Sequence, residues 1–214
     1  MMKNLLFDYD GTLHDTIGIY APAFRYSYEQ VVSDGLAEPK IFTDKEISQW
    51  LGYTSREMWQ LFMPELTDEQ KRYYGKLIGK KMDELIGEGK AELYPNALST
   101  LQSLKDKGYR LIILSNCRES YMQTMRKKFG LDGYFEAYYC GETYDFEPKT
   151  KIFEQIEQKF SGEFIMIGDR FHDMEVAKVH HLQSIGCAYG FGHDGELDGA
   201  TTIISEISEL TELL

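Results

Sequence analysis

The stretch FDYDGTLHDT, residues 7–16, sets two carboxylates, Asp8 and Asp10, at the end of an apolar run and places Gly11 directly after them. Leu5, Leu6 and Phe7 stand consecutively, as they do in a strand covered on both faces, and predict a buried strand over 3–9. Crowded carboxylates repel one another, and their desolvation is costly unless a cation or hydrogen bonds compensate. The stretch therefore calls for a positive partner. A calcium loop beginning at Asp8 is excluded, because the glycine and glutamate it needs at its sixth and twelfth positions are Leu13 and Ile19 here.

Downstream the character changes. Residues 16–89 show no strand runs but carry aromatics, Met, Glu and Lys at helical spacing. Thr43 with Glu46, Thr54 or Ser55 ahead of Trp59 and Phe62, and Thr67 with Gln70 read as three helix starts, with Pro64 closing the second helix. Gly87 and Gly89 end the third.

From 96 onward helices and strands alternate: helix 96–107, strand 110–115, helix 119–129, strand 136–140, helix 150–160, strand 164–167, helix 172–179, strand 184–189, strand 202–204 and a closing helix. Strands separated by helices imply right-handed crossovers and a parallel sheet. The expected fold is α/β, a Rossmann-like parallel sheet with helices on both faces and an inserted all-helical unit. The domains would be 1–15 with 90–214 for the core and 16–89 for the insertion.

Ligands of open parallel sheets bind beyond the carboxyl ends of the strands. That rule gathers Asp8 and Asp10 after the first strand, Ser115 and Asn116 after the second, and Asp169 after EFIMIGD. Asp173 comes one helical turn later, and Lys149 opens the helix behind Pro148. Carboxylates without His or Cys select a hard cation, and Mg²⁺ suits one to three of them plus phosphate oxygens. Lys149 and Ser115 would hold the remaining oxygens of a phosphoryl group.

Composition narrows the partners. The 214 residues carry 35 acids against 23 basic residues, a net charge of −12, which disfavours sequence-independent binding to nucleic acid. Apolar runs fall far short of the roughly 20 residues a membrane helix needs, and acids interrupt the N-terminus where a signal peptide would be apolar. A cytoplasmic protein is expected. Cys117, Cys140 and Cys187 lack CxxC spacing, so they read as reduced thiols filling the core rather than a disulfide framework or zinc site. GFGHDG at 190–195 matches a dinucleotide-binding pattern, but it comes too late for the required βαβ unit and reads as a flexible rim loop. His172 reads as an exposed helix-start residue. Trp50, Trp59, Phe62 and Met63 read as core of the helical block.

Four pieces in order, DYDGTL (8–13), LIILSN ending at Ser115 and Asn116, Lys149 in PKTKIF, and GDRFHD (168–173), resemble the haloacid dehalogenase superfamily, in its phosphatase branch with a helical cap after the first strand. The resemblance implies a Mg²⁺-dependent phosphatase acting on a small phosphorylated metabolite. By it, Asp8 is the nucleophile that becomes an aspartyl-phosphate, and Asp10 is the acid and then the base. The metal falls to Asp8, the Asp10 backbone carbonyl and Asp169, with Asp173 nearby, while Ser115, Asn116 and Lys149 hold phosphate. Relatives of this branch often place the lysine just before the proline. Here that position is Glu147, so Lys149 takes the role, with Lys151 the weaker substitute. His181 falls where relatives carry glycine at a helix end, and histidine is among the better-tolerated residues there. Two alternatives stand beside this reading. One is a phosphosugar mutase, disfavoured by Tyr20 where mutases carry histidine; the other is a degenerate binding module.

Overall fold

The computed structural model describes residues 3–214 and divides into two compact units, one running to His14 and resuming at Leu93–Leu214, the other Asp15–Glu92. The first is built on a six-stranded sheet: β1 (Lys3–Phe7), β2 (Arg110–Ser115), β3 (Ala137–Cys140), β4 (Glu163–Gly168), β5 (Gln183–Cys187) and β6 (Thr202–Ile204), in the spatial order β3-β2-β1-β4-β5-β6 and parallel throughout. The order reverses direction at β1. Crevices open at such a switch point, and Asp8 comes immediately after it.

Helices α1 (Ile17–Ser33), α2 (Asp44–Ser48), α3 (Ser55–Phe62), α4 (Asp68–Gly87) and α5 (Ala97–Asp106) lie between β1 and β2 in sequence. Then come α6 (Glu119–Phe129), α7 (Lys149–Lys159), α8 (Phe171–His180) and the short closing α9 (Leu210–Leu213). Leu6, Ile112, Leu114 and Met166 pack on Ile152, Phe153 and Ile156 of α7 and Val176 and Ala177 of α8. The alternate strand residues Leu5, Phe7, Leu111, Ile113 and Ile167 are equally buried, so both faces of the sheet are covered. This burial on two sides is why the strands read as continuous apolar runs.

β1 stops at Phe7, two residues short of the expected strand end. The Tyr9 carbonyl accepts from the backbone N–H groups of Thr12, Leu13 and His14, and these bonds turn the chain out of the ladder while Tyr9 itself stays buried. β5 likewise ends at Cys187 rather than residue 189. His181 ends α8 at φ 56°, ψ 40°, in the left-handed region its position requires.

In the Asp15–Glu92 unit, Thr43, Thr54 and Thr67 each cap a helix, with Glu46, Glu57 and Gln70 reaching back to complete three capping boxes. α3 ends just ahead of Pro64, with Met63 pushed out of helical geometry as a residue before proline tends to be. Trp59 and Met63 are buried, whereas Trp50 and Phe62 are half-buried. Phe24, Tyr28, Phe42 and Phe62 form a cluster with ring centroids 4.9 to 6.0 Å apart. No helix among the described residues is long and apolar enough to cross a membrane.

Candidate active site

Phe7 lies beside Ile113 on one neighbour and Ile167 on the other, so Asp8, Ser115 and Asp169 all emerge at the same carboxyl edge. Lys149 is the first residue of α7, and Asp173 stands in the first turn of α8. All five are buried, with at most 4 % of their surface exposed. Carboxylate oxygens of Asp8, Asp169 and Asp173 lie within 4.8 Å of one another. The Lys149 ammonium bridges two of these acids, 2.9 Å from Asp8 Oδ1 and 2.7 Å from Asp173 Oδ1.

Fixed donors hold each acid. The Tyr9 backbone N–H donates to Asp8 Oδ1 at 2.7 Å. Asp169 accepts from the Thr12 hydroxyl at 3.2 Å and from the Phe191 N–H at 2.7 Å, and Asp173 accepts from the Arg170 N–H at 3.1 Å. Gly11, at φ 85°, passes so near Asp169 that a Cβ there would fall 2.2 Å from Oδ2. A Cβ on Gly190 would fall 2.4 Å from the Asp169 Cβ. Only glycine leaves that carboxylate its space.

Three buried carboxylates against one ammonium leave the cluster short of positive charge. Burial first, then repulsion from Asp173, holds the Asp8 carboxyl well above the usual range despite Lys149, and the same two causes push Asp169 up to about 7. Burial also disfavours the Lys149 ammonium, but the attraction of Asp173 and Asp8 outweighs it and raises its affinity for the proton. An all-oxygen donor set with unbalanced negative charge and glycine-lined room fits a hard metal ion. The three buried aspartates can hold one.

The Asp10 side chain is not one of these three; it turns to a different group of partners. The Tyr121 hydroxyl of α6 donates to Asp10 Oδ1 at 2.7 Å, and His14 Nδ1 lies 3.4 Å from that oxygen and 3.0 Å from the Tyr121 hydroxyl. His14 is fully buried and stacked on Tyr9 at 5.4 Å. Burial, then the nearby Asp10 charge, raises the Tyr121 phenol well above its usual range, so it stays a donor. Asn116 is half-buried where the chain leaves β2, with its backbone against Gly141. Lys151 stands 60 % exposed and paired with Glu154, away from the cluster. His172 is half-buried rather than exposed; burial, then the charges of Lys149 and Arg170, push it down to about 3, so it is neutral.

The sequence reading missed Thr12, Tyr121, Arg170 and Glu196. Arg170 is fully buried, and its guanidinium grips Glu196 through Nε at 2.8 Å and Nη2 at 3.2 Å. The segment after β5, expected to be flexible, is thus tied down at Phe191 and Glu196. The one available signal was the arginine next after Gly168-Asp169, since a buried arginine needs an acid somewhere. Cys140 and Cys187 are buried, whereas Cys117 is only half-buried.

Residues 5–187 match the sequence family of haloacid dehalogenase-like hydrolases. Pyrophosphatase PpaX of Listeria monocytogenes is 26 % identical over 192 residues, spanning 88 % of this chain and 84 % of its own. A phosphoglycolate phosphatase of Agrobacterium fabrum is 29 % identical over 195 residues, 87 % of this chain and 80 % of its own. The crystal structure of a predicted phosphatase from Clostridium acetobutylicum superposes with a TM-score of 0.85 at 23 % identity, covering 100 % of this chain and 98 % of that one.

Proposed function

Because the chain belongs to the haloacid dehalogenase-like hydrolase family, we propose that it is a cytoplasmic Mg²⁺-dependent phosphatase that hydrolyses a small phosphorylated metabolite through an aspartyl-phosphate. The observation that carries this reading is the buried Lys149 ammonium held between Asp8 and Asp173, with Asp169 alongside. Asp8, Asp169 and Asp173, with the Asp10 backbone carbonyl, would hold Mg²⁺, which would supply the charge neutralisation a phosphate dianion needs to approach the acids.

The Asp8 carboxylate attacks phosphorus, and the bond from phosphorus to the leaving oxygen breaks as Asp10 gives that oxygen its proton. Asp10, now a carboxylate, takes a proton from water; the water oxygen attacks phosphorus and Asp8 is released with inorganic phosphate. Lys149 fixes the attacking carboxylate and, with the Ser115 hydroxyl and Asn116 amide, holds phosphoryl oxygens. Tyr121 and His14 orient the Asp10 carboxyl through their contacts with Oδ1. We assign the helical unit Asp15–Glu92 the role of a substrate-selecting cap.

Pyrophosphate and phosphoglycolate, named for the Listeria and Agrobacterium relatives, are the first compounds to try alongside p-nitrophenyl phosphate. Phosphate release in Mg²⁺ is expected from the wild type, with reversible loss in EDTA and complete loss in Asp8→Asn. Normal turnover by Asp8→Asn, or no turnover of a broad phosphate-ester panel by the wild type, refutes the proposal.

A further inference from the structure

The segment from Tyr189 to Glu196 folds back over Asp169. Gly192 lies so close that a Cβ there would fall 2.3 Å from the Asp169 carbonyl oxygen, and the Phe191 N–H donates to Asp169 Oδ2 at 2.7 Å. At its far end Glu196 accepts three bonds. Two come from the Arg170 guanidinium, and the third comes from the Phe171 N–H at 3.2 Å. The Arg170 side chain is 1 % exposed and that of Glu196 15 %. A two-pronged ion pair at this depth is therefore formed by residues directly next to a metal-binding carboxylate and far along the chain from it.

Its placement has an electrostatic consequence. Arg170 adjoins Asp169, where a guanidinium turned toward the acids would neutralise them and compete with a cation for them. Glu196 pairs with that charge through two bonds and pins the loop whose Phe191 N–H orients the Asp169 carboxylate. Partners of this kind behind a metal ligand fix its orientation and tune its affinity.

We infer that Glu196 is a positioning residue for the metal site: by holding Arg170 and the 189–196 loop it keeps Asp169 oriented and free to bind a divalent cation. The inference rests on the proposed metal site but assigns a role to a pair outside the acidic cluster. Removing the Glu196 charge should weaken cation binding even though no ligand is lost. A structural role alone would lower thermal stability and leave the affinity of the folded protein unchanged.

The test uses the full chain with Mn²⁺ as probe, read by titration calorimetry and by the electron paramagnetic resonance of free Mn²⁺. Glu196→Gln preserves shape and removes the charge; it should weaken Mn²⁺ binding about 10-fold or more, with the far-UV circular dichroism of the wild type. Hydrogen exchange of the Phe191 amide, read without metal, should speed up in the same variant. Exposed Glu154→Gln serves as the matched control and should bind as the wild type does. Glu196→Gln binding within twofold of the wild type, or losing melting temperature alone, overturns the inference while leaving the metal site standing. Failure of the wild type itself to bind Mn²⁺ better than Asp169→Asn overturns both.

Discussion

Asp169→Asn should make the metal-free protein more stable at neutral pH, although it removes a residue at the centre of the site. In the wild type, burial and then repulsion from Asp173 raise the Asp169 carboxyl from its ordinary value of 3.8 to about 7. Below about pH 3.8 the carboxyl is protonated in both folded and unfolded chains, and it causes no difference. Between about 4 and 7 the unfolded chain releases the proton and the folded chain keeps it, so stability falls from its low-pH level as pH rises and the full penalty is in place above about 7. Three pH units at 1.36 kcal/mol each give a penalty of about 4 kcal/mol at pH 8. Asparagine carries no charge and escapes that penalty, but its amide group can accept only one of the two bonds from Thr12 and Phe191, at a cost of about 1 to 2 kcal/mol. The net expectation is a variant about 2 to 3 kcal/mol more stable than the wild type at pH 8 in EDTA, with the advantage absent or reversed near pH 4. Urea denaturation monitored by far-UV circular dichroism across that range measures it. Saturating Mg²⁺ should invert the order at pH 8, because only the intact cluster gains binding energy. If Asp169→Asn is less stable at every pH in EDTA, the cluster is not short of positive charge and the case for a cation there fails.

Lys149→Ala should cut p-nitrophenyl phosphate turnover by at least about 10²-fold, since it removes the buried cation beside Asp8, whereas exposed Lys151→Ala should stay within about twofold. Steady-state kinetics on the two variants decide which lysine serves the site. Gly190→Ala would drive a methyl group to 2.4 Å from the Asp169 side chain; calorimetry should show sharply weakened Mn²⁺ binding, and wild-type affinity would contradict so close an approach. Thr54→Ala removes the hydroxyl that accepts from the Glu57 N–H and should cost about 1 kcal/mol of stability by thermal melting, with the metal affinity unchanged.

The parts of the fold legible in the sequence are those set by neighbours along the chain. Thr43, Thr54 and Thr67 were readable as helix starts because a capping box needs only a hydroxyl and an acid or amide three residues on, and all three boxes form. β2, α6 and β6 begin and end at the residues the pattern indicates, since each is bounded by a change of period or a turn residue. Tyr9 misled because burial and strand membership coincide in most apolar runs. Here the ring is buried while its carbonyl serves a turn.

The acids themselves were legible for a related reason: topology alone brings the ends of parallel strands to one edge, so Asp8 and Asp169 could be joined without knowing any distance. Their environment was not, because it is built by contacts between distant parts of the chain that leave no period in the sequence. Tyr121 reaches Asp10 across 111 positions, and Arg170 reaches Glu196 across 26. His172 is a case in point. Read alone, a histidine at a helix start between two aspartates looks solvated and titratable near neutrality. In the fold it is held neutral, first by burial and then by the positive charges of Lys149 and Arg170, whose approach only the fold determines. Charge balance at this edge is therefore a property of the assembled sheet and its loops. It explains why a motif identifies the acids while the hydrogen bonds that orient them, such as the Phe191 N–H on Asp169, come from residues the motif does not contain.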